Sequence, residues 1–198
     1  MGFPNWDELY RSEPVEHLPW YLPGLDPDFD KALQANDLSA GRVLDLGTGP
    51  GTQAMALAER GFEVTASDIS ASAIRHAAEV AARRKLTVRF LKDDILRSKL
   101  VGPFAAVFDR GCMHVMTPAQ RPRYVQTVTR LLDVGGLLFL KCFSDEEPGT
   151  QGPHRFRPEE LRELFSTSFE VLSLERTELQ GTLSSAPKSL MGVMRREV

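Results

Sequence analysis

Three glycines occupy five consecutive positions in Gly47-Thr48-Gly49-Pro50-Gly51, immediately after the apolar run Val43-Leu44-Asp45-Leu46. Glycine lets a backbone turn sharply and lie against a ligand with no side chain between them. A helix starting at Thr52 would add unpaired N–H groups at the same place. Asp45, near the end of the preceding strand, suits a hydrogen bond from a cationic amino group or an ordering contact to the loop. A dinucleotide loop requires G-x-G-x-x-G, and its third glycine would fall where Thr52 stands. The spacing here is G-x-G-x-G behind an acidic residue, which is a different loop.

Further acids follow at strand ends. Asp68, with Ile69 after it, lies about twenty residues beyond the first glycine, where a carboxylate can take both ribose hydroxyls. The competing reading of Asp68 is a helix cap. Lys92-Asp93-Asp94-Ile95 holds two acids before an apolar residue, and solvated turn aspartates are its plain alternative. Phe108-Asp109-Arg110-Gly111-Cys112-Met113-His114-Val115-Met116 follows another apolar run, and Gly152-Pro153-His154-Arg155-Phe156 follows a later one. His114 is a candidate proton acceptor, with a backbone-bonded histidine as the alternative. His154 and Arg155 are candidates for orienting an anionic or polarisable ligand, against a solvated loop. Cys112 reads as a packing residue, Cys142 as core, and His17 and His76 as surface.

The elements that carry these residues alternate. Arg42–Leu46 reads as a strand, Thr52–Arg60 as a helix stopped by Gly61, and Phe62–Ser67 as a strand. Ser70 can cap a helix over Ala71–Arg84. Thr87–Leu91 and Phe104–Asp109 are further strands. A helix with Tyr124, Val125, Val128, Leu131 and Leu132 on one face begins at Pro118 or Pro122. Gly135-Gly136 turns into the strand Leu137–Phe143, and a helix opens at Arg157-Pro158-Glu159-Glu160. Phe169–Leu174 and Lys188–Arg195 close the chain as strands. This order predicts an α/β fold: a Rossmann-like, open, mostly parallel seven-stranded sheet with helices on both faces. Ligands then bind beyond the carboxyl ends of the strands, where every candidate above sits. Residues 1–40 differ, holding both tryptophans, Tyr10, Tyr21 and the prolines Pro4, Pro14, Pro19, Pro23 and Pro27 without a period. They read as an irregular aromatic wrap or lid, and residues 41–198 as the main domain. Trp6, Tyr10 and Trp20 are placed to cover a cationic ligand or to pack the wrap.

The G-x-G-x-G loop behind Asp45 is similar to motif I of the class I S-adenosylmethionine-dependent methyltransferases. Trp6-Asp7-Glu8-x-Tyr10, Pro19-Trp20 and Asp109-Arg110-Gly111-Cys112 resemble the small-molecule branch that includes thiol, thiopurine and tellurite methyltransferases. The resemblance implies S-adenosylmethionine as cofactor. It implies contacts from Asp45, Gly47, Thr48, Gly49 and Gly51, a ribose role for Asp68 with Ile69, an adenine role for Asp94 (or Asp93) with Ile95, and proximity of Asp109 and Arg110. It implies a substrate role for the loop of His154 and Arg155. The Asn/Asp-Pro-Pro-aromatic sequence of DNA- and glutamine-modifying members is absent after Phe108, which weighs against those acceptors. The expected reaction is methyl transfer to a small molecule such as a thiol or chalcogen oxyanion, held in line by positioning, with His114 first among candidate bases. Other acceptors by O- or N-methylation, a nicotinamide-dependent oxidoreductase and a non-catalytic cofactor-binding subunit are the alternatives.

Composition narrows the rest. The chain has 198 residues with 24 Lys plus Arg against 27 Asp plus Glu, a net charge of −3 that argues against a nucleic-acid or anionic-membrane surface. Two cysteines make no disulfide framework, which suggests a reducing cytoplasm. No apolar run approaches the roughly 20 residues of a membrane helix, and residues 1–20 do not read as a signal peptide.

Overall fold

A computed structural model describes residues 5–198, so Pro4 lies outside the described residues. The strands are β1 (Arg42–Leu46), β2 (Glu63–Asp68), β3 (Val88–Lys92), β4 (Phe104–Arg110), β5 (Leu132–Phe143), β6 (Phe169–Glu178) and β7 (Lys188–Arg196). The helices are α1 (Trp6–Ser12), α2 (Pro27–Ala35), α3 (Thr52–Glu59), α4 (Ala71–Arg83), α5 (Arg121–Leu131) and α6 (Pro158–Phe165). The strands make one seven-stranded sheet in the order β3-β2-β1-β4-β5-β7-β6. β1 to β5 run parallel, and β7 is antiparallel to both neighbours. From β1 the chain moves outward to β2 and β3, then returns to β4 on the other side. The β1/β4 boundary is therefore the switch point at which open sheets of this kind leave a crevice.

Period-two alternation sends each strand's side chains into two separate cores. On one face Phe29 and Leu33 of α2 and Ala54 and Leu57 of α3 meet Val43, Ala106, Phe108 and Phe139. Phe108 stacks on Phe139 with centroids 4.8 Å apart and meets Phe29 edge-on at 5.3 Å. On the other face Tyr124, Val128 and Leu131 of α5 and Leu161 and Phe165 of α6 meet Leu44, Val107, Leu138 and Leu140. Each such burial contributes about 1.5–3 kcal/mol, which fixes the sheet and hence the loops at its edge.

Three elements depart from the sequence reading. The N-terminal segment is not irregular: it holds α1 and α2, and Phe29 is completely buried, so α2 belongs to the main core. Its start was marked by Asp26-Pro27, an N-cap acid followed by proline in the first turn. α5 starts at Arg121, so Pro122 and not Pro118 lies in its first turn, and Leu132 leaves the helix as its C-cap. β5 begins at Leu132, and Gly135-Gly136 lies within a register shift between the pairs Phe104–Leu132 and Ala106–Leu137 instead of in a turn ahead of the strand. No helix among the described residues is long and apolar enough to cross a membrane.

Candidate active site

The bend after β1 is held from both sides. The Thr48 N–H donates to the Ser67 carbonyl at 2.9 Å, and its hydroxyl donates to Asp45. Asp68, at the end of β2, accepts the Gly49 N–H at 2.9 Å on one oxygen and the Ser70 N–H at 2.8 Å on the other. It is thus a brace between the bend and the start of α4, while Ser70 caps that helix through Ala73 N at 3.0 Å. The bareness of the bend also serves contacts within the protein. A Cβ on Gly47 would stand 2.8 Å from the Cβ of Cys112, one on Gly51 2.7 Å from that of Ala77, and one on Gly49 would strike the Tyr10 hydroxyl. The glycines therefore bring the loop after β4, helix α4 and helix α1 onto one point.

That point is negative. Asp45 is buried, and desolvation, reinforced by nearby Asp68 and Asp109, pushes its carboxyl up to about 7. Burial also raises Asp68. Neither carboxylate is paired with a basic side chain among the described residues. Ile69, next to Asp68, is 51% exposed, an unusual state for isoleucine. Asp94 spends one oxygen on the Leu96 N–H at 3.0 Å, capping a 3-10 turn over Ile95–Arg97. Asp93 takes the Lys99 N–H on one oxygen and leaves its other oxygen buried without a partner. Ile95 is packed into the core, not open to a ligand ring.

The loop after β4 corrects several expectations. Asp109 is fully buried and accepts from Cys112 N at 2.7 Å, Met113 N at 3.0 Å and the Tyr124 hydroxyl at 2.7 Å. It shapes its own loop, and burial pushes it up to about 6. Arg110 is turned toward the N-terminal segment and the loop between β6 and β7. Its Nε donates to Asp26 at 2.7 Å, one terminal nitrogen to the Trp20 carbonyl at 2.9 Å and the other to the Gln180 carbonyl. His114 is unsuited to be a base: burial pushes it down to about 3, and its Nδ1 accepts the Phe143 N–H at 3.2 Å. The neutral ring therefore carries its proton on Nε2. Burial and the neighbouring carboxylates raise the Cys112 thiol, so it stays protonated, and Cys142 is core as expected.

The loop after β5 divides the other two candidates. Arg155 donates to the carbonyls of Glu147, Pro148, Gln151 and Pro153, stitching its own loop with four of its five N–H groups. His154 packs edge-on against Phe156 with centroids 4.5 Å apart, and its Nε2 lies 3.5 Å from Glu160 without a hydrogen bond. Between this loop and residues 114–118 opens a cavity of about 470 Å³, with His114, Arg121 and His154 on its walls. His17 is exposed and His76 half-buried.

The N-terminal segment crosses the top of these loops. Asp7 accepts from the Ser70 hydroxyl at 3.1 Å and Ser72 N at 2.8 Å. Trp20 donates to the Tyr10 hydroxyl at 3.0 Å and meets Trp6 edge-on, centroids 5.8 Å apart. On the far side Thr182 donates to the carbonyls of Pro19 and Leu18. Beneath lies a buried ionic cluster absent from the sequence reading. Lys141 of β5 reaches Asp26 at 2.8 Å and Asp28 at 2.7 Å, with Arg110 on the same Asp26. Its signal was present: a lysine inside Leu137–Phe143 has to be paired.

Residues 2–196 match the family model "Thiopurine S-methyltransferase (TPMT)". A 2-heptyl-1-hydroxyquinolin-4(1H)-one methyltransferase of Mycobacteroides abscessus is 32% identical, covering 84% of this chain and 76% of that protein. A probable thiol methyltransferase 2 of Arabidopsis thaliana is 26% identical over 88% of this chain and 77% of that protein. A solved structure described as "Conversion of a Disulfide Bond into a Thioacetal Group during Echinomycin Biosynthesis" superposes with a TM-score of 0.83 at 26% identity, over 97% of this chain and 91% of that one. With the glycine bend, its acids and the sheet order in agreement, the chain belongs to the thiopurine S-methyltransferase family and is an S-adenosylmethionine-dependent methyltransferase.

Proposed function

We propose that this protein binds S-adenosylmethionine in the crevice between the bend at 47–51 and Asp68, and moves its methyl group to a soft nucleophile, foremost a thiol, on a small acceptor. The observation that carries the reading is the pair Asp45 and Asp68, carboxylates flanking the bend with no basic partner among the described residues. A ligand with an ammonium and a sulfonium supplies the missing positive charge, and the donor set therefore fits the cofactor. Asp45 would take the ammonium, and Asp68 the ribose hydroxyls through lone pairs its two N–H contacts leave free. Half-exposed Ile69 would cover the base, with Asp94 or the free Asp93 oxygen receiving its amino group. The Tyr10 hydroxyl stands against Gly49 of the bend and accepts from the Trp20 indole.

When bound, the cofactor supplies a methyl already activated by a departing neutral thioether. The protein's part is alignment, which by itself removes several kcal/mol of barrier. His114 enters as a fixed Nε2–H donor on the cavity wall and not as a base. The acceptors after which the relatives are named, a hydroxyquinolone and a thiol, agree with a small acceptor entering over the loops after β4 and β5. The cytoplasm is the proposed location.

Detection of S-adenosylhomocysteine across thiols, phenols, amines and metalloid oxyanions tests the acceptor class, and failure of every thiol overturns it. Asp68→Ala is expected to weaken cofactor binding by about tenfold or more in calorimetry. Unchanged affinity in a folded variant removes the ribose assignment.

A further inference from the structure

Thr65 of β2 is 8% exposed, yet its hydroxyl has no hydrogen-bond partner among the described residues. It pairs across the sheet with Leu44 on one side and Arg89 of β3 on the other, so the three side chains project from the face that α5 and α6 cover. That cover stops short of β3. The crossover from β3 to β4 carries only the 3-10 turn Ile95–Arg97, where parallel strands are usually joined by a helix. The segment after that turn walls the corner instead and leaves a recess of about 70 Å³. Thr65, Arg89 and Lys99 are its polar lining, and Leu91 and Val101 belong to its apolar walls.

Both cations of the recess are idle. The side chains of Arg89 and Lys99 have neither a carboxylate partner nor a hydrogen-bond acceptor among the described residues. The charges around them are already spent. Arg42 pairs with Glu63 at 3.5 Å, Arg97 meets Asp94 at 3.9 Å, and Arg130 donates to the Leu100 carbonyl at 2.9 Å. Asp93 takes the Lys99 N–H at 2.9 Å and so faces the backbone of that residue. Charges on an edge strand also discourage edge-to-edge pairing. That duty calls for neither a recess nor a free hydroxyl nine-tenths buried inside it.

The geometry points to this recess as a binding site for a phosphoryl group carried by an organic ligand. At about 10–15 Å³ for each oxygen-sized atom, 70 Å³ accommodates about five, the heavy-atom count of a phosphoryl group. Two of its oxygens suit the guanidinium fork of Arg89, the ammonium of Lys99 adds a point charge, and the Thr65 hydroxyl donates to a third oxygen. Val101, 78% exposed, offers apolar surface to the remainder of the ligand. None of these residues is among those proposed to hold the cofactor or the methyl acceptor, so the site stands or falls apart from the methyl-transfer reading.

The test titrates phenyl phosphate and inorganic phosphate into the isotope-labelled full chain at fixed ionic strength, with chloride as control, and follows backbone amide shifts by NMR. Saturable shifts are expected at Thr65, Arg89 and residues 99–101. Shifts that chloride reproduces, shifts gathered in the loop after β5, or no saturation with either phosphate overturn the proposal. Arg89→Gln and Lys99→Gln alter exposed side chains, and each is expected to weaken phenyl phosphate binding about tenfold. Thr65→Val keeps the side-chain shape, removes the hydroxyl donor and is expected to weaken binding as well. Affinity retained in both charge variants overturns the site. Phenyl phosphate is expected to bind about tenfold or more tighter than inorganic phosphate. Equal affinity of the two means that the recess holds free phosphate and overturns the organic-ligand assignment.

Discussion

Two buried carboxyls set how the site answers to protons. Desolvation holds Asp45 up near 7 and Asp109 near 6 against an ordinary value of 3.8. Between about pH 4 and these values the folded chain keeps protons that the unfolded chain has released, so both groups stabilise the fold at the acid end and lose that contribution as pH rises through about 6 and 7. A cation settling beside Asp45 favours its ionised form and expels the proton. Calorimetry near pH 6.5, in buffers of different ionisation enthalpy, should therefore register proton release when S-adenosylmethionine binds; release unchanged in Asp45→Asn would dissociate Asp45 from the cation. His114 supplies a second test. With His114 neutral and its Nδ1 spent on Phe143, the rise of kcat/KM with pH should follow the thiol pKa of whichever acceptor is used. A rise fixed at one pH across thiols of different acidity would restore an enzymic base.

At the scale of elements, β5 carries an instructive exception. Its pattern from Leu137 to Phe143 is nearly all apolar, yet Lys141 is buried with Asp26 and Asp28. Removing one member of such a set strands the others, so Lys141→Met should lower unfolding free energy by about 3–5 kcal/mol; urea denaturation showing a loss under about 1 kcal/mol would mean the cluster relaxes freely. The strands and helices after residue 42 were legible because their periods differ and because glycine, proline and Ser70 punctuate them. Helix α2 was hidden among prolines, although Asp26-Pro27 announced its first turn. The acids on the bend were legible from spacing. The duties of Asp109, Arg110 and Arg155 were not: Asp109 and Arg155 are spent on backbone groups of their own loops, and Arg110 on a carboxylate and carbonyls distant in sequence.

For the whole molecule, the N-terminal segment is less a separate cap than a strap fastened at several points. Asp7 is tied to α4, Arg110 grips the middle at the Trp20 carbonyl, and Thr182 holds Leu18 and Pro19. The middle fastening joins strap, β4 and the loop before β7 through one side chain. Arg110→Ala should speed hydrogen exchange at residues 18–24 and 180–182 and weaken cofactor binding together; faster exchange with unaltered affinity would show that the strap plays no part in retaining the cofactor. Asp68 and Ile69 then divide the labour at the neighbouring edge. One is locked by two N–H donors, the other is a bare aliphatic side chain bonded to nothing. If the base lies beside Ile69 as proposed, a chemist seeking to make this protein accept a nucleoside enlarged on its base should leave residue 68 alone and carve at residue 69, where shape can be altered without loosening the hinge of the loop.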